Sequence, residues 1–381
     1  MSRFLFVVPP LTGHLNPALA VSRALSGRGH EVAWVGPESF LRPVIGPDAT
    51  IYRTGMRTYR GLRDTGTTPE QAFLDGYVLP LARFVIKAVD QAVEAFEPDV
   101  LAVDQHAIAG ALVALSRDLP WAGLFASAMG IYRDRSPEVD AWARGPLAKY
   151  CADLGLAEID PLSVVYSPHL QLAFTTTAMT GPVDLPPHAV MVGPALAERL
   201  GDEPFPMDWL DPGRRHVLAT VGTVNVDVGP GFYRRVIDGL DGERRQGIVV
   251  AAPDSIPDVP DHVLVVPRVP MLDLLPHLDA VVCHAGLNTV CEAMLHGVPL
   301  VLAPIVLDQP VTTEQIVRAG AGVRIDFDTA TPAEVGAALD TVLGEPSYRE
   351  AAQRIGDSFR EAGGAPVAAQ RLEALAARRS A

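Results

Sequence analysis

Positive charge is scarce in this chain: 31 lysines and arginines stand against 45 acidic residues, a formal net charge of −14 over 381 residues. A nucleic acid or an anionic membrane would need a basic footprint, so this balance argues against both as partners. A nucleotide is still allowed, because its site asks only for local positive potential. Cysteine is sparse as well. Cys151, Cys283 and Cys291 are odd in number and show no zinc-like spacing, so they read as buried thiols of a reducing cytoplasm. No apolar run reaches the 18 residues of a membrane span, which predicts a soluble protein without stable membrane insertion. The opening run Phe4–Val8 meets Pro9-Pro10 rather than a small-residue cleavage site, and so reads as a first strand and not a signal peptide. No GxGxxG follows that strand. This counts against a dinucleotide oxidoreductase, whose pyrophosphate needs those glycines to approach a helix N-terminus.

What is present fits two α/β domains. A length of 381 residues exceeds what one core usually serves, and a hydrophobic content of 48% can supply two. Phe4–Val8 is followed by a loop over Leu11–Leu15, a helix opened by Asn16-Pro17 and closed by Gly27 and Gly29, and a strand over Glu31–Val35. Periodicity is then lost from Ser39 to about Tyr77. A helix over Leu81–Phe96, a strand over Asp99–Val103 ending at Asp104, a helix over Ala107–Arg117 and a strand over Trp121–Phe125 follow. Residues Ala128–Pro168 again lack alternation but carry aromatic residues. Four prolines from Pro194 to Pro212 mark the domain boundary, giving domains 1–200 and 201–364. Strands over His216–Val221, Ile248–Ala251, Val263–Val266, Ala280–Cys283 and Leu300–Ala303 build the second sheet. Thr331 with Glu334, and Ser347 with Glu350, have the spacing of capping boxes. After Gly363-Gly364 a final amphipathic helix covers Pro366–Arg378, within a closing segment 365–381.

The most informative stretch is His284–Pro310. A strand ends at Cys283, Gly286 lets the backbone approach a ligand, and the helix that follows aims free N–H groups beyond the strand, which makes an anion seat. Asn288 and Glu292 are four residues apart on one face of that helix, and Glu292 is placed to accept two sugar hydroxyls, as a ribose would offer. The glycine-rich loop from Gly222-Thr223 to Gly231 offers a second backbone nest for phosphate.

His-x-Gly-x-Asn-Thr with Glu292, then Gly-Val-Pro and Asp308-Gln309, resembles the donor signature of family 1 glycosyltransferases, above all the bacterial macrolide-type, natural-product members. The resemblance implies a GT-B fold, two Rossmann-like doubly wound domains facing across a cleft, with the closing helix packing back on the N-terminal domain. It implies a UDP- or dTDP-sugar as co-substrate, no cofactor and no metal. Donor contacts are expected from Thr223, Val269, His284, Gly286, Leu287, Asn288, Thr289, Glu292, Asp308 and Gln309. Trp142, Tyr132 and Tyr77 are expected to wall an apolar acceptor, a polyketide, aromatic or terpenoid aglycone of secondary metabolism such as antibiotic biosynthesis. The small-molecule partners leave a homodimer open.

His14 follows the first strand and Asp104 ends a later one, so both emerge at the carboxyl edge, where open α/β sheets bind ligands. In the family resembled, the histidine is the base that takes the acceptor proton and the aspartate holds its ring. An imidazole is the natural base at neutral pH, and a carboxylate fixes its tautomer. His106 competes for the role. Asp326-Phe327-Asp328 has the Asp-x-Asp form used elsewhere for divalent cations, but it precedes a capped helix away from the expected site and is set aside. The sequence departs from the family pattern where Met271 replaces a glutamine, Ala285 the second glycine of His-Gly-Gly, and Thr312-Thr313 an Asn-Ala. The reading is an inverting hexosyltransferase; a GT-B sugar-nucleotide epimerase and a catalytically inactive binding relative are the alternatives.

Overall fold

β1 (Arg3–Val7) is apolar on both faces because parallel sheets are covered on both sides, and every residue from Phe4 to Val7 is buried. The computed structural model describes residues 1–57, 68–127, 137–196, 205–222 and 229–379. They form two units: Met1–Thr175 with Val183–Leu200 and Ala362–Ala381, and Thr176–Pro182 with Gly201–Glu361.

The first unit contains β1, α1 (Thr12–Gly27), β2 (Glu31–Gly36), α2 (Glu38–Ile45), β3 (Thr50–Arg53), α3 (Pro69–Phe73) and α4 (Leu79–Phe96). It continues through β4 (Val100–Asp104), α5 (Ala109–Ser116), β5 (Trp121–Phe125), α6 (Pro137–Asp153), β6 (Leu170–Ala173) and β7 (Ala189–Met191). Its seven strands are parallel in the order β3-β2-β1-β4-β5-β6-β7. The chain leaves β1 for β2 and β3, then returns to the other side of β1 with β4, so the order reverses between β1 and β4. Phe4, Phe6, Val100 and Ala102 face one apolar core, shared with Leu15, Ala18 and Val21 of α1. On the other face α5 comes so close that a Cβ on Gly110 would sit 2.8 Å from Val103 Cγ2.

The second unit takes in α7 (Thr177–Thr180), then β8 (Arg215–Thr220), α8 (Gly229–Gly239), β9 (Arg245–Val250), β10 (Val263–Val266) and α9 (Met271–Leu274). β11 (Ala280–Cys283), α10 (Leu287–Leu295), β12 (Leu300–Leu302), α11 (Gln309–Arg318), β13 (Gly322–Arg324), α12 (Pro332–Gly344) and α13 (Pro346–Ala362) follow. Six parallel strands run β10-β9-β8-β11-β12-β13, reversing between β8 and β11. Alternate residues serve opposite cores: Leu218, Val281 and Cys283 on one face, Val217, Ala280 and Val282 on the other. The short α7 is held in this unit by buried Met179 and by the Arg318 guanidinium, which donates to the Thr180 carbonyl. The last helix, α14 (Gly364–Arg379), packs with Ala365, Ala368, Ala369 and Leu372 in the core of the first unit. Among the described residues no helix is long and apolar enough to cross a membrane.

Several sequence expectations need correction. α1 starts at Thr12, so Leu11–Leu15 is no loop and Asn16-Pro17 does not open the helix; Leu11 is the N-cap and its carbonyl accepts from His14 and Leu15. Pro17 lies inside near the start, where the missing N–H removes a single rung of the ladder. The stretch without periodicity contains α2 and the short edge strand β3, and α6 runs through a second such stretch. Ser347 lies inside α13, which begins at Pro346; proline suits a first helical position, so no capping box forms with Glu350. Thr331 and Glu334 do form theirs.

Candidate active site

β1 and β4 are neighbours in register, Val7 opposite Val103, and this places His14 beside Asp104 at the carboxyl edge of the strand reversal. His14 Nδ1 lies 2.8 Å from Asp104 Oδ2. The aspartate side chain is 1% exposed and that of His14 13%. Burying a carboxylate this deeply is costly unless it is paired, and its other oxygen, Oδ1, accepts the His106 backbone N–H at 2.9 Å. A carboxylate only accepts, so the proton of a neutral His14 sits on Nδ1 and Nε2 carries the basic lone pair.

His106 is beside the pair but is not suited to be the base. Burial first, then the charge of His14, push its imidazole well below the ordinary histidine value. Its ring lies 4.7 Å from that of His14 and meets Phe73 edge-on at 4.9 Å. Phe73 in turn contacts Tyr77 at 5.4 Å. Tyr77, expected as acceptor wall, therefore reaches this ring cluster, from a π-helical turn over Leu74–Val78 where it is buried. Trp142 is half-buried on α6, outside this chain of ring contacts. Tyr132 and Thr223 lie outside the described residues.

The second unit repeats the arrangement: β8 and β11 pair, Thr220 opposite Cys283, and Gly222 and His284 emerge together at the carboxyl edge. His284 is 9% exposed and lies between two glycines. A Cβ on Gly222 would be 2.7 Å from its Cε1, and one on Gly286 2.7 Å from its Nε2. Burial lowers its pKa to about 4, against a smaller raising influence from the Thr220 backbone. At neutral pH it can offer an anion an N–H and no charge, and positive potential at this edge comes from the helix end. Gly286 is the N-cap of α10, which has no acidic residue in its first turn. Leu287 is buried, Asn288 and Thr289 are half-buried, and Glu292 is buried one turn below Asn288.

In the tip after β12, Gln309 holds the loop itself. Its side-chain oxygen accepts the backbone N–H groups of Ile305, at 2.8 Å, and Val306, at 3.0 Å, and the residue is buried. That oxygen folds the loop. Asp308 is the half-buried N-cap residue of α11 and makes no side-chain cap bond. Val269, expected as a donor contact, has its side chain buried in the core. Asp326 Oδ1 accepts from the N–H groups of Asp328 and Thr329, and Phe327 stacks on Phe232 at 4.7 Å; the Asp-x-Asp run makes a turn over an apolar core.

Sequence reasoning missed Phe73 and Tyr233. The Tyr233 hydroxyl accepts from the Val221 N–H at 2.9 Å and donates to the Val250 carbonyl at 2.8 Å, pinning the turn that carries Gly222. Burial first raises that phenol to about 12, so it stays a donor. A lone aromatic in a helix gives no signal for this.

The family model for the C-terminal domain of erythromycin biosynthesis protein CIII-like proteins matches residues 237–375. The chain is 26% identical to the NDP-glycosyltransferase YjiC of Bacillus subtilis, over 96% of this chain and 95% of that one. It is 28% identical to 4'-demethylrebeccamycin synthase of Lentzea aerocolonigenes, over 94% and 96%. Its fold is that of the glycotransferase of kitacinnamycin, with a TM-score of 0.83 at 22% identity and coverage of 98% and 99%. A likeness that spans nearly the full length of these chains, and a sheet reversal in each unit that gathers the motif residues, make the chain similar to bacterial natural-product glycosyltransferases and give it the GT-B fold.

Proposed function

We propose that the protein is an inverting glycosyltransferase that moves a hexose or deoxyhexose from a UDP- or dTDP-sugar to a hydroxyl of a small apolar natural product. The observation that carries this reading is the 2.8 Å contact of His14 Nδ1 with buried Asp104, which leaves Nε2 as the base. His14 takes the proton of the acceptor hydroxyl, and the oxygen bonds to the anomeric carbon from the face opposite the leaving group. The bond from that carbon to the diphosphate oxygen breaks with its electron pair, and the imidazolium is stabilised by Asp104. The departing diphosphate meets the N-terminal N–H groups of α10 and the His284 N–H, donors that do not need a metal. Glu292 and Asn288 take the ribose, and Asp308 with the Gln309 NH2 takes the sugar. The ring cluster of Phe73, Tyr77 and His106 gives the acceptor side an apolar wall. The name of the rebeccamycin relative supports a natural product as acceptor.

Incubation of the protein with UDP- and dTDP-sugars and a panel of aglycones tests this. Sugar nucleotide should be consumed only when an acceptor is added, with inverted anomeric configuration in the product and full turnover in EDTA. Consumption without acceptor would indicate an epimerase instead, and loss of turnover in EDTA restored by magnesium would overturn the metal-independent mechanism.

A further inference from the structure

His106 lies beside His14 and Asp104 and is held in place by contacts that its own chemistry does not need. Its backbone N–H fixes Asp104 Oδ1 at 2.9 Å while Oδ2 faces His14 Nδ1 at 2.8 Å, so the carboxylate is held at both oxygens. Its ring fills the space between Phe73, 4.9 Å away at 76°, and His14, 4.7 Å away at 53°. Phe73 is buried and is backed by Tyr77, so the His106 ring cannot retreat. We propose that His106 is a positioning residue: its ring is the wall that stops His14 from turning about its Cβ–Cγ bond and presenting Cδ2 instead of Nδ1 to Asp104. This inference rests on the reading of His14 as the base.

The consequence is chemical. A half-turn of His14 would put Cδ2–H at Asp104 and Cε1 where Nε2 stands, so the carboxylate would no longer hold one tautomer and the lone pair would move to the other edge of the ring. The base would then stand off the hydroxyl it must deprotonate, and misplacements of about 1 Å cost on the order of a hundredfold in rate. A wall at one ring face removes that alternative. His106 serves as such a wall best when uncharged, since a second imidazolium would oppose the proton His14 must accept. Burial and the His14 charge keep it so.

The test uses the full chain and three variants. Long-range ¹H–¹⁵N spectra of the histidines report the His14 tautomer without any acceptor, and UDP and dTDP binding by calorimetry reports the donor side. His106→Ala should turn a single Nδ1–H tautomer of His14 into a mixture and lower kcat by roughly tenfold, with diphosphate affinity unchanged. His106→Phe, which restores an apolar wall, should restore the single tautomer and most of the lost turnover. An unchanged tautomer and rate in His106→Ala would overturn the proposal. So would a His106→Phe variant as slow as His106→Ala with its His14 tautomer intact, since the His106 nitrogens would then be needed. His14→Ala with normal turnover would remove the base reading instead, an outcome distinct from both. If His106→Ala does not fold, His106→Gln takes its place with the same expected mixture.

Discussion

Gly222, at φ +73°, has its α-carbon against the ring of His284, and a Cβ there would fall 2.7 Å from Cε1 and 2.9 Å from Nε2. The two residues lie at the ends of paired strands, β8 and β11, and neither can move without the sheet. Gly222→Ala must therefore displace the imidazole and strain the backbone together. The expected outcome is at least tenfold weaker UDP or dTDP binding by calorimetry, with turnover falling in parallel. Unchanged affinity would mean that His284 does not face the diphosphate.

Ala285 is a non-glycine residue in the left-handed region, at φ +66°, next to that histidine. The conformation costs an alanine about 1–2 kcal/mol, part of which a glycine would return as unfolded-chain entropy. Ala285→Gly should stabilise the protein by about 0.5–1 kcal/mol in urea unfolding. A loss of stability would show that packing of the buried methyl outweighs the strain.

Gln309 and Asp308 are adjacent but should differ in what they do. Gln309→Ala strips two backbone donors of their acceptor and should cost about 1–3 kcal/mol of stability in urea unfolding, while Asp308→Ala should weaken sugar-nucleotide binding. A Gln309→Ala variant as stable as the parent would contradict the loop-folding role.

Glu373 of α14 accepts from Arg28 and from His30, and the Arg28 hydrogen bond above all lowers its carboxyl to about 2. The Ser2 N–H donates to His30 Nδ1, so His30 gives Glu373 the proton on Nε2. A carboxylate whose folded pKa is depressed stabilises the fold above its unfolded value, near 4.5, and loses that contribution as pH falls toward 2. Glu373→Gln should therefore melt below the parent at pH 6, and the gap should narrow steadily between pH 5 and pH 3. A gap independent of pH would place the loss in packing.

Much of the architecture was legible because parallel strands buried on both faces are short apolar runs. Trp121–Phe125, Val263–Val266 and Ala280–Cys283 stand where their composition places them. The edge strands β3 and β13 were not legible, being short and partly exposed, with no apolar run to announce them. The start of α1 was misplaced because Asn16-Pro17 imitates a helix opening, while the true N-cap, Leu11, uses no side-chain bond. The His14–Asp104 pair was legible because strong chemistry at two strand ends of one sheet brings the side chains together, and the structure has them in contact. Gln309 looked like a sugar ligand, and only three-dimensional proximity reveals that its oxygen holds Ile305 and Val306. Phe73 and Tyr233 act through contacts with distant segments, His106 and Val250, that no local pattern encodes.

The central claim is that His14 and Asp104 act as one base, and a double-mutant cycle on turnover tests it most directly. His14→Ala should lower kcat by about 10² to 10⁴ while UDP and dTDP bind as before. Asp104→Asn should cost less, and the double variant should be about as slow as His14→Ala alone, because the aspartate works only through the ring it holds at 2.8 Å. A double variant that loses the product of the two factors would show the residues acting independently, and the dyad would be wrong.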